Sequence, residues 1–196
     1  YNAKLEIIIN NDVKINGFGT GLGAALDGIL NIQANNIDVI AGESDAYRGV
    51  AQIQHSLFGG YGDEFSTEVN LLANNNINIT DYQTGFILTG DNNTLKVNAG
   101  NDINIKTQDK GSYGIQMTTF DGGIQTNVNF TSGNNININN YGYGIHNENG
   151  KMEMYVNNQL NIDDVDTGIH TSGSNNTVLV DYKDKVDNKN NVNQIV

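Results

Sequence analysis

Apolar and polar positions alternate along this chain in short runs, and the runs return at near-regular intervals. The strings NDVKI, NNIDV, NNINI, NDINI, NNINI and NQLNI each place one apolar residue two positions after an Asn and a second two positions further on. The first apolar column is Val13, Ile37, Ile77, Ile103, Ile136 and Leu160; the second is Ile15, Val39, Ile79, Ile105, Ile138 and Ile162. Between them stand Lys14, Asp38, Asn78, Asn104, Asn137 and Asn161. A period of two, with β-branched residues on one side, predicts a strand with one buried face.

Each copy then reaches a glycine followed by an apolar residue: Gly21 and Leu22, Gly49 and Val50, Gly85 and Phe86, Gly114 and Ile115, Gly144 and Ile145, Gly168 and Ile169. A second strand is expected there. A third alternating segment closes each copy, carrying Leu30 and Ile32, Val69 and Leu71, Leu95 and Val97, Val128 and Phe130, Met154 and Val156, Val178 and Val180. Leu5 and Ile7 in the leading LEIII fit the third strand of a preceding copy. The basic period, from Val13 to Ile37 and again from Ile136 to Leu160, is 24 residues.

One such copy cannot bury its apolar face alone, whereas stacked copies share a continuous core. The prediction is an all-β parallel β-helix of six to seven coils over residues 1–182, with 183–196 an irregular tail or the start of a further coil. A sandwich or barrel gives no reason for one Asn column to recur at Asn11, Asn35, Asn75, Asn101, Asn134 and Asn158. Asn suits a corner, because it tolerates the left-handed conformation and its amide can bond to the Asn stacked above or below. These six residues are therefore expected to form a structural ladder at turn corners. The glycine column is read as a backbone requirement, not a phosphate loop, since no helix follows it.

Composition agrees with repeated turns. The chain has 35 Asn and 23 Gly but no Pro, Cys or Trp, so Asn and Gly must make the turns and no disulfide can hold them. The formal net charge of -12 repels phosphate backbones and anionic headgroups, which argues against nucleic acid and bare membrane as partners. No apolar run is long enough to span a bilayer, so direct membrane insertion is not expected. The chain starts at Tyr1 without a signal-like segment, which suggests a piece of a longer protein.

With NDINI, NNINI and AGND in view, residues 5–182 resemble the passenger regions of type V secreted proteins, the autotransporters and filamentous-haemagglutinin-like proteins of Gram-negative bacteria. The resemblance implies a right-handed parallel β-helix, export to the cell surface and, in many members, adhesion. Its motifs are architectural. No C-terminal membrane barrel or serine-protease motif accompanies them, which leaves the secretion route open.

The copies differ in length, and there binding chemistry is expected. Ile37 to Ile77 spans 40 residues and Ile103 to Ile136 spans 33. VAQIQHSLF, GGYGD and EFSTEVNL read as a hairpin leaving the stack, and GIQMTTF, DGG and IQTNVNF as a shorter one. The candidate ligand-binding residues are Tyr47, Arg48, His55, Phe58, Tyr61, Asp63, Glu64, Tyr113 and Phe120, with Phe65 beside them. Exposed rings beside carboxylates suit a host or bacterial surface glycan or a protein. The plainer alternative is that Phe58, Phe65 and Phe120 hold the insertions against the wall.

Residues 59–64, GGYGDE, partly match a calcium-binding nonapeptide, and only once where tandem copies are needed, so no metal and no other cofactor is expected. His146 and His170 occupy equivalent places and should stack about 5 Å apart. A polysaccharide-cleaving site would need clustered carboxylates with basic partners on one outer strand. The outward column offers only Asp38, the chain has one arginine, Arg48, and Asp163, Asp164 and Asp166 read as a solvated turn. An adhesive segment is thus favoured over a non-binding spacer, because a spacer needs no insertions, and both are favoured over an enzyme.

Overall fold

The computed structural model describes residues 3–17, 20–25, 27–42, 51–54, 66–119, 126–173 and 176–182. Its strands, in chain order, are β1 (Lys4–Ile8), β2 (Val13–Asn16), β3 (Leu22–Ala25), β4 (Ile29–Ala34), β5 (Ile37–Ile40), β6 (Ala51–Gln54), β7 (Thr67–Ala73) and β8 (Ile77–Thr80). They continue with β9 (Thr84–Thr89), β10 (Asn93–Ala99), β11 (Ile103–Thr118), β12 (Asn127–Ser132), β13 (Asn135–Glu148), β14 (Lys151–Val156), β15 (Gln159–Ser172) and β16 (Thr177–Tyr182). Seven of them form one sheet in the order β1-β4-β7-β10-β12-β14-β16. The other nine form a second sheet, in which β11, β13 and β15 run through the corner that separates shorter strands in earlier coils. The strand pairings between coils are parallel. The result is a β-solenoid of about six turns, consistent with a right-handed parallel β-helix.

The register confirms the first strand column by column. Val13, Ile37, Ile77, Ile103, Ile136 and Leu160 pair in succession, as do Ile15, Val39, Ile79, Ile105, Ile138 and Ile162. Their side chains point into one continuous core, closed by Leu30, Val69, Leu95, Val128 and Met152 from the facing sheet. Leu5 and Ile7 do continue those third-strand columns, pairing with Leu30 and Ile32.

Two alignments differ from the sequence expectation. In the fifth coil Met152 and Met154, not Met154 and Val156, stand over Val128 and Phe130, while Val156 joins a column of small residues with Ser132 and Ala99. A slip of two keeps the same face inward, so alternation alone cannot detect it. In the second coil Leu22 pairs with Ala51, not Val50.

The insertions also differ. Ala51–Gln54 and Thr67–Ala73, expected as hairpin arms, are rungs of the stack, and so are the residues of GIQMT and NVNF. Strands with apolar partners above and below gain more by joining the core than by leaving it. The segments left over, 55–65 and 120–125, lie outside the described residues, as do 43–50 and the tail 183–196.

The corners divide the labour in an unexpected way. Left-handed backbone occurs at Gly17, Asp81, Asn140 and Asp164 after the first strand, and at Asp27, Gly90, Asn92, Asn149 and Gly173 before the third. None of Asn35, Asn75, Asn101, Asn134 or Asn158 adopts it. Their corner is held instead by backbone ladders such as Asn75 N to Asn35 O at 2.8 Å and Asn101 N to Asn75 O at 2.8 Å. Several of their side chains reach diagonally, as when Asn101 Nδ2 donates to Asn76 Oδ1 and Asn134 Nδ2 to Asp102 Oδ1, each at 2.9 Å, while Asn158 Nδ2 also donates directly to Asn134 Oδ1 at 3.3 Å. The direct amide ladder runs one column over: Asn78, Asn104, Asn137 and Asn161 each donate from Nδ2 to Oδ1 of the preceding coil's residue, starting at Asp38, over 2.7–2.8 Å. On a flat strand these side chains project in parallel at coil spacing, whereas at a bend they splay.

Candidate functional site

The second strand of the later coils puts a cluster of rings on the outside of the wall. Across the corner, β11 carries three extra residues relative to β13, because Lys106 pairs with Asn139 but Gly111 with Tyr141. The excess forms a bulge at 107–110, pinned by Gln108 N to Asp81 Oδ1 at 2.9 Å and by Asn140 Nδ2 to the carbonyls of Thr107 and Gln108 at 3.0 and 2.8 Å. Lys110 forms an ion pair with Asp166 two coils on. Both side chains are exposed, so this pair contributes at most about 1 kcal/mol.

Beyond the bulge the register recovers, and two columns emerge. Tyr113 pairs with Tyr143 and then Thr167; Gln116 pairs with His146 and then His170. The tyrosine rings lie 5.3 Å apart at 20°, and the imidazoles 5.0 Å apart at 15°. The columns meet edge to face, with His146 5.3 Å from Tyr113 and 5.5 Å from Tyr143, and His170 5.8 Å from Tyr143. All four rings are half-exposed. The spacing expected for His146 and His170 is thus observed, and Tyr143, which the sequence reading passed over, completes the cluster.

Glycine makes this arrangement possible. Gly85, Gly114, Gly144 and Gly168 stack, and a methyl built on Gly114 would lie 2.6 Å from the Gly144 carbonyl oxygen and 2.4 Å from Ile138 Cγ2. Only a residue without Cβ lets the strand turn both Gly114 and Ile115 inward and return Tyr113 and Gln116 to the surface. Gly111 does the same for the core: it leaves room for the Tyr141 ring of the next coil, whose atoms a methyl there would approach to 2.4 Å.

Of the other sequence candidates, Tyr47, Arg48, His55, Phe58, Tyr61, Asp63, Glu64 and Phe120 lie outside the described residues. Tyr113 is described, and it stands on the wall strand, not on an insertion. The ends of the second insertion are anchored: Thr119 Oγ1 donates to the Asn149 carbonyl at 2.6 Å and Thr126 Oγ1 to the Gly90 carbonyl at 2.8 Å. A shallow depression of about 410 Å³ lies on the other sheet beside Thr131, Gly133, Tyr155, Asn157 and Asp181. With one ring it offers less aromatic surface than the wall cluster. No group of three or more His, Asp or Glu side chains that could hold a metal ion occurs among the described residues.

His146 is held below the ordinary imidazole range, first by burial and then by His170, with Glu148 pulling the other way. Its Nδ1 is buried without a hydrogen-bond partner among the described residues, so a proton there would be stranded. A histidine that resists protonation when folded makes the unfolded state bind the extra proton as pH falls below its ordinary value of 6.5. Stability should hold above pH 6.5, decline as pH falls from there toward the lower folded-state pKa of His146, level off with respect to this group below it, and decline less in His146→Gln. Thermal melts from pH 7.5 to 5 check this; parallel curves for parent and variant would contradict it. Burial raises the phenols of Tyr82 and Tyr141, so stability should fall again above pH 10, where an unfolded tyrosine ionises.

Comparison with protein families, with curated proteins and with solved structures finds no match for this chain.

Proposed function

We propose that the chain is a binding segment of an exported bacterial surface protein of the type V passenger kind, and that it engages a host or cell-surface glycan or protein without catalysing a reaction. The observation that carries this reading is the half-exposed four-ring cluster on the outer wall of the later coils. Aromatic side chains expose a large contact area with few rotatable bonds, which is why they anchor interfaces. Stacking between coils would stabilise a spacer as well, but ring surface left open to solvent is of use only to a partner. A hydrolytic role is disfavoured by the outward column of the first strands, where Asp38 is followed by Asn78, Asn104, Asn137 and Asn161, bonded to each other.

The experiment is binding of the purified chain to host-matrix proteins and a glycan array, with three proteins in parallel. The parent should bind; Tyr113→Ala with Tyr143→Ala should bind roughly tenfold less or worse, the loss of about 1.4 kcal/mol expected for an anchoring ring. Replacing residues 55–65 by a short turn should cost less than the wall substitutions. If the insertion deletion abolishes binding while the wall variant matches the parent, recognition resides in the insertion. If the parent binds nothing, the spacer reading replaces this one.

A further inference from the structure

We infer that the Tyr113–Tyr143 and His146–His170 strip is a subsite for a neutral, linear oligosaccharide lying along the solenoid axis. This rests on the binding reading above and narrows it to one ligand class and one direction. Three features lead to it.

The first is repetition along the axis. Successive rings in each column are separated by one coil, 5.0 Å for the imidazoles and 5.3 Å for the phenols. Each column thus repeats its ring once at one spacing in one direction, and the two columns together span three coils, from Tyr113 and Gln116 to His170. A polymer whose own units are about as long as a coil can repeat the same contact at each step. An extended β-linked glycan has units of that length, whereas a protein surface matches it only across the strands of a sheet.

The second is the mixture of chemistries. The rings, stacked on one another, supply apolar surface at their exposed edges for the C–H groups of sugars, while tyrosine hydroxyls, the imidazoles and the amide of Gln116 can exchange hydrogen bonds with hydroxyls. The third is charge. Glu148 lies on the same strand as the rings, and Asp163, Asp164 and Asp166 are exposed on the neighbouring one, with Lys110 already paired to Asp166. On a chain of net charge -12, a uronic, sialylated or sulfated polymer meets repulsion that a neutral one does not.

The test uses the three histidines of the chain as reporters. The whole chain, labelled for imidazole NMR, is titrated at neutral pH with cellohexaose, laminarihexaose, chitohexaose and mannohexaose, with the corresponding monosaccharides, and with oligogalacturonate and a heparin hexamer as anionic probes. At least one neutral hexamer should move the ring signals of His146 and His170 and leave His55 in place. Its monosaccharide should bind at least tenfold more weakly, because it touches one coil only. Tyr143→Ala and, separately, His146→Gln should each weaken the hexamer by roughly tenfold with the circular dichroism unchanged. Tighter binding of an anionic probe, equal binding of monosaccharide and hexamer, or shifts confined to His55 would overturn the inference. If the chain binds a matrix protein but none of these sugars, this inference fails while the binding reading stands; if it binds neither, both fail.

Discussion

Ile103→Asp should not melt cooperatively at room temperature, because the chain carrying it should already be unfolded. Ile103 is 0% exposed and lies between Ile77 and Ile136 in the first core column. Removing its side chain alone costs about 2–5 kcal/mol. An uncompensated carboxylate in that position adds several kcal/mol more, since no Lys, Arg or His is buried among the described residues. The sum is comparable with the ~5–15 kcal/mol by which a domain exceeds its unfolded state. The effect should spread through the whole stack, because each coil is stabilised mainly by its neighbours. Lys106→Asp, three residues along the same strand but exposed, should stay within about 0.5 kcal/mol of the parent. Far-ultraviolet circular dichroism on the pair decides: a folded Ile103→Asp would mean that this column is not core.

Gly114→Ala is expected to have the next largest effect, although it adds only one methyl. That methyl would lie 2.6 Å from the Gly144 carbonyl oxygen and 2.4 Å from Ile138 Cγ2. Both atoms belong to β13, the strand stacked directly on β11, so the contact is relieved only if the two strands move apart. Overpacking of this kind costs about 3 kcal/mol, or roughly 6–12 °C in melting temperature for a chain of this size. Gly142→Ala is the matched comparison, since its methyl meets nothing closer than the Ser112 carbonyl oxygen at 3.2 Å. It should melt within about 2 °C of the parent. Equal melting points for the two variants would remove the steric explanation of the glycine column.

The core was legible in the sequence wherever Ile and Val alternate with single polar residues, because a strand buried on one face leaves no other arrangement of Ile103, Asn104 and Ile105. Legibility ended where two arrangements keep the same face inward, as with Met152, Met154 and Val156. It also ended at the tyrosines: Tyr82 and Tyr141 are buried and Tyr113 and Tyr143 half-exposed, and no local pattern separates the two kinds. Their sorting depends on glycines in neighbouring coils, such as Gly111 beneath Tyr141. Tyr113 and the two histidines could be singled out separately, but the three extra residues at 107–110 hid the equivalence of Tyr113 with Tyr143. Hence the insertions attracted attention that the wall also warrants.

Everything proposed for the wall depends on coils four to six standing in register, so that rings far apart in the chain touch. A nuclear Overhauser spectrum of the aromatic protons in D₂O reads this directly, with His146→Gln and Tyr143→Phe used for assignment. His146 and His170, 24 residues apart, should show cross-peaks to each other and to Tyr143, and Tyr113 should show them to Tyr143. A folded chain in which His146 and His170 show no cross-peak to each other and none to Tyr143 would contradict the register and the recognition surface built on it.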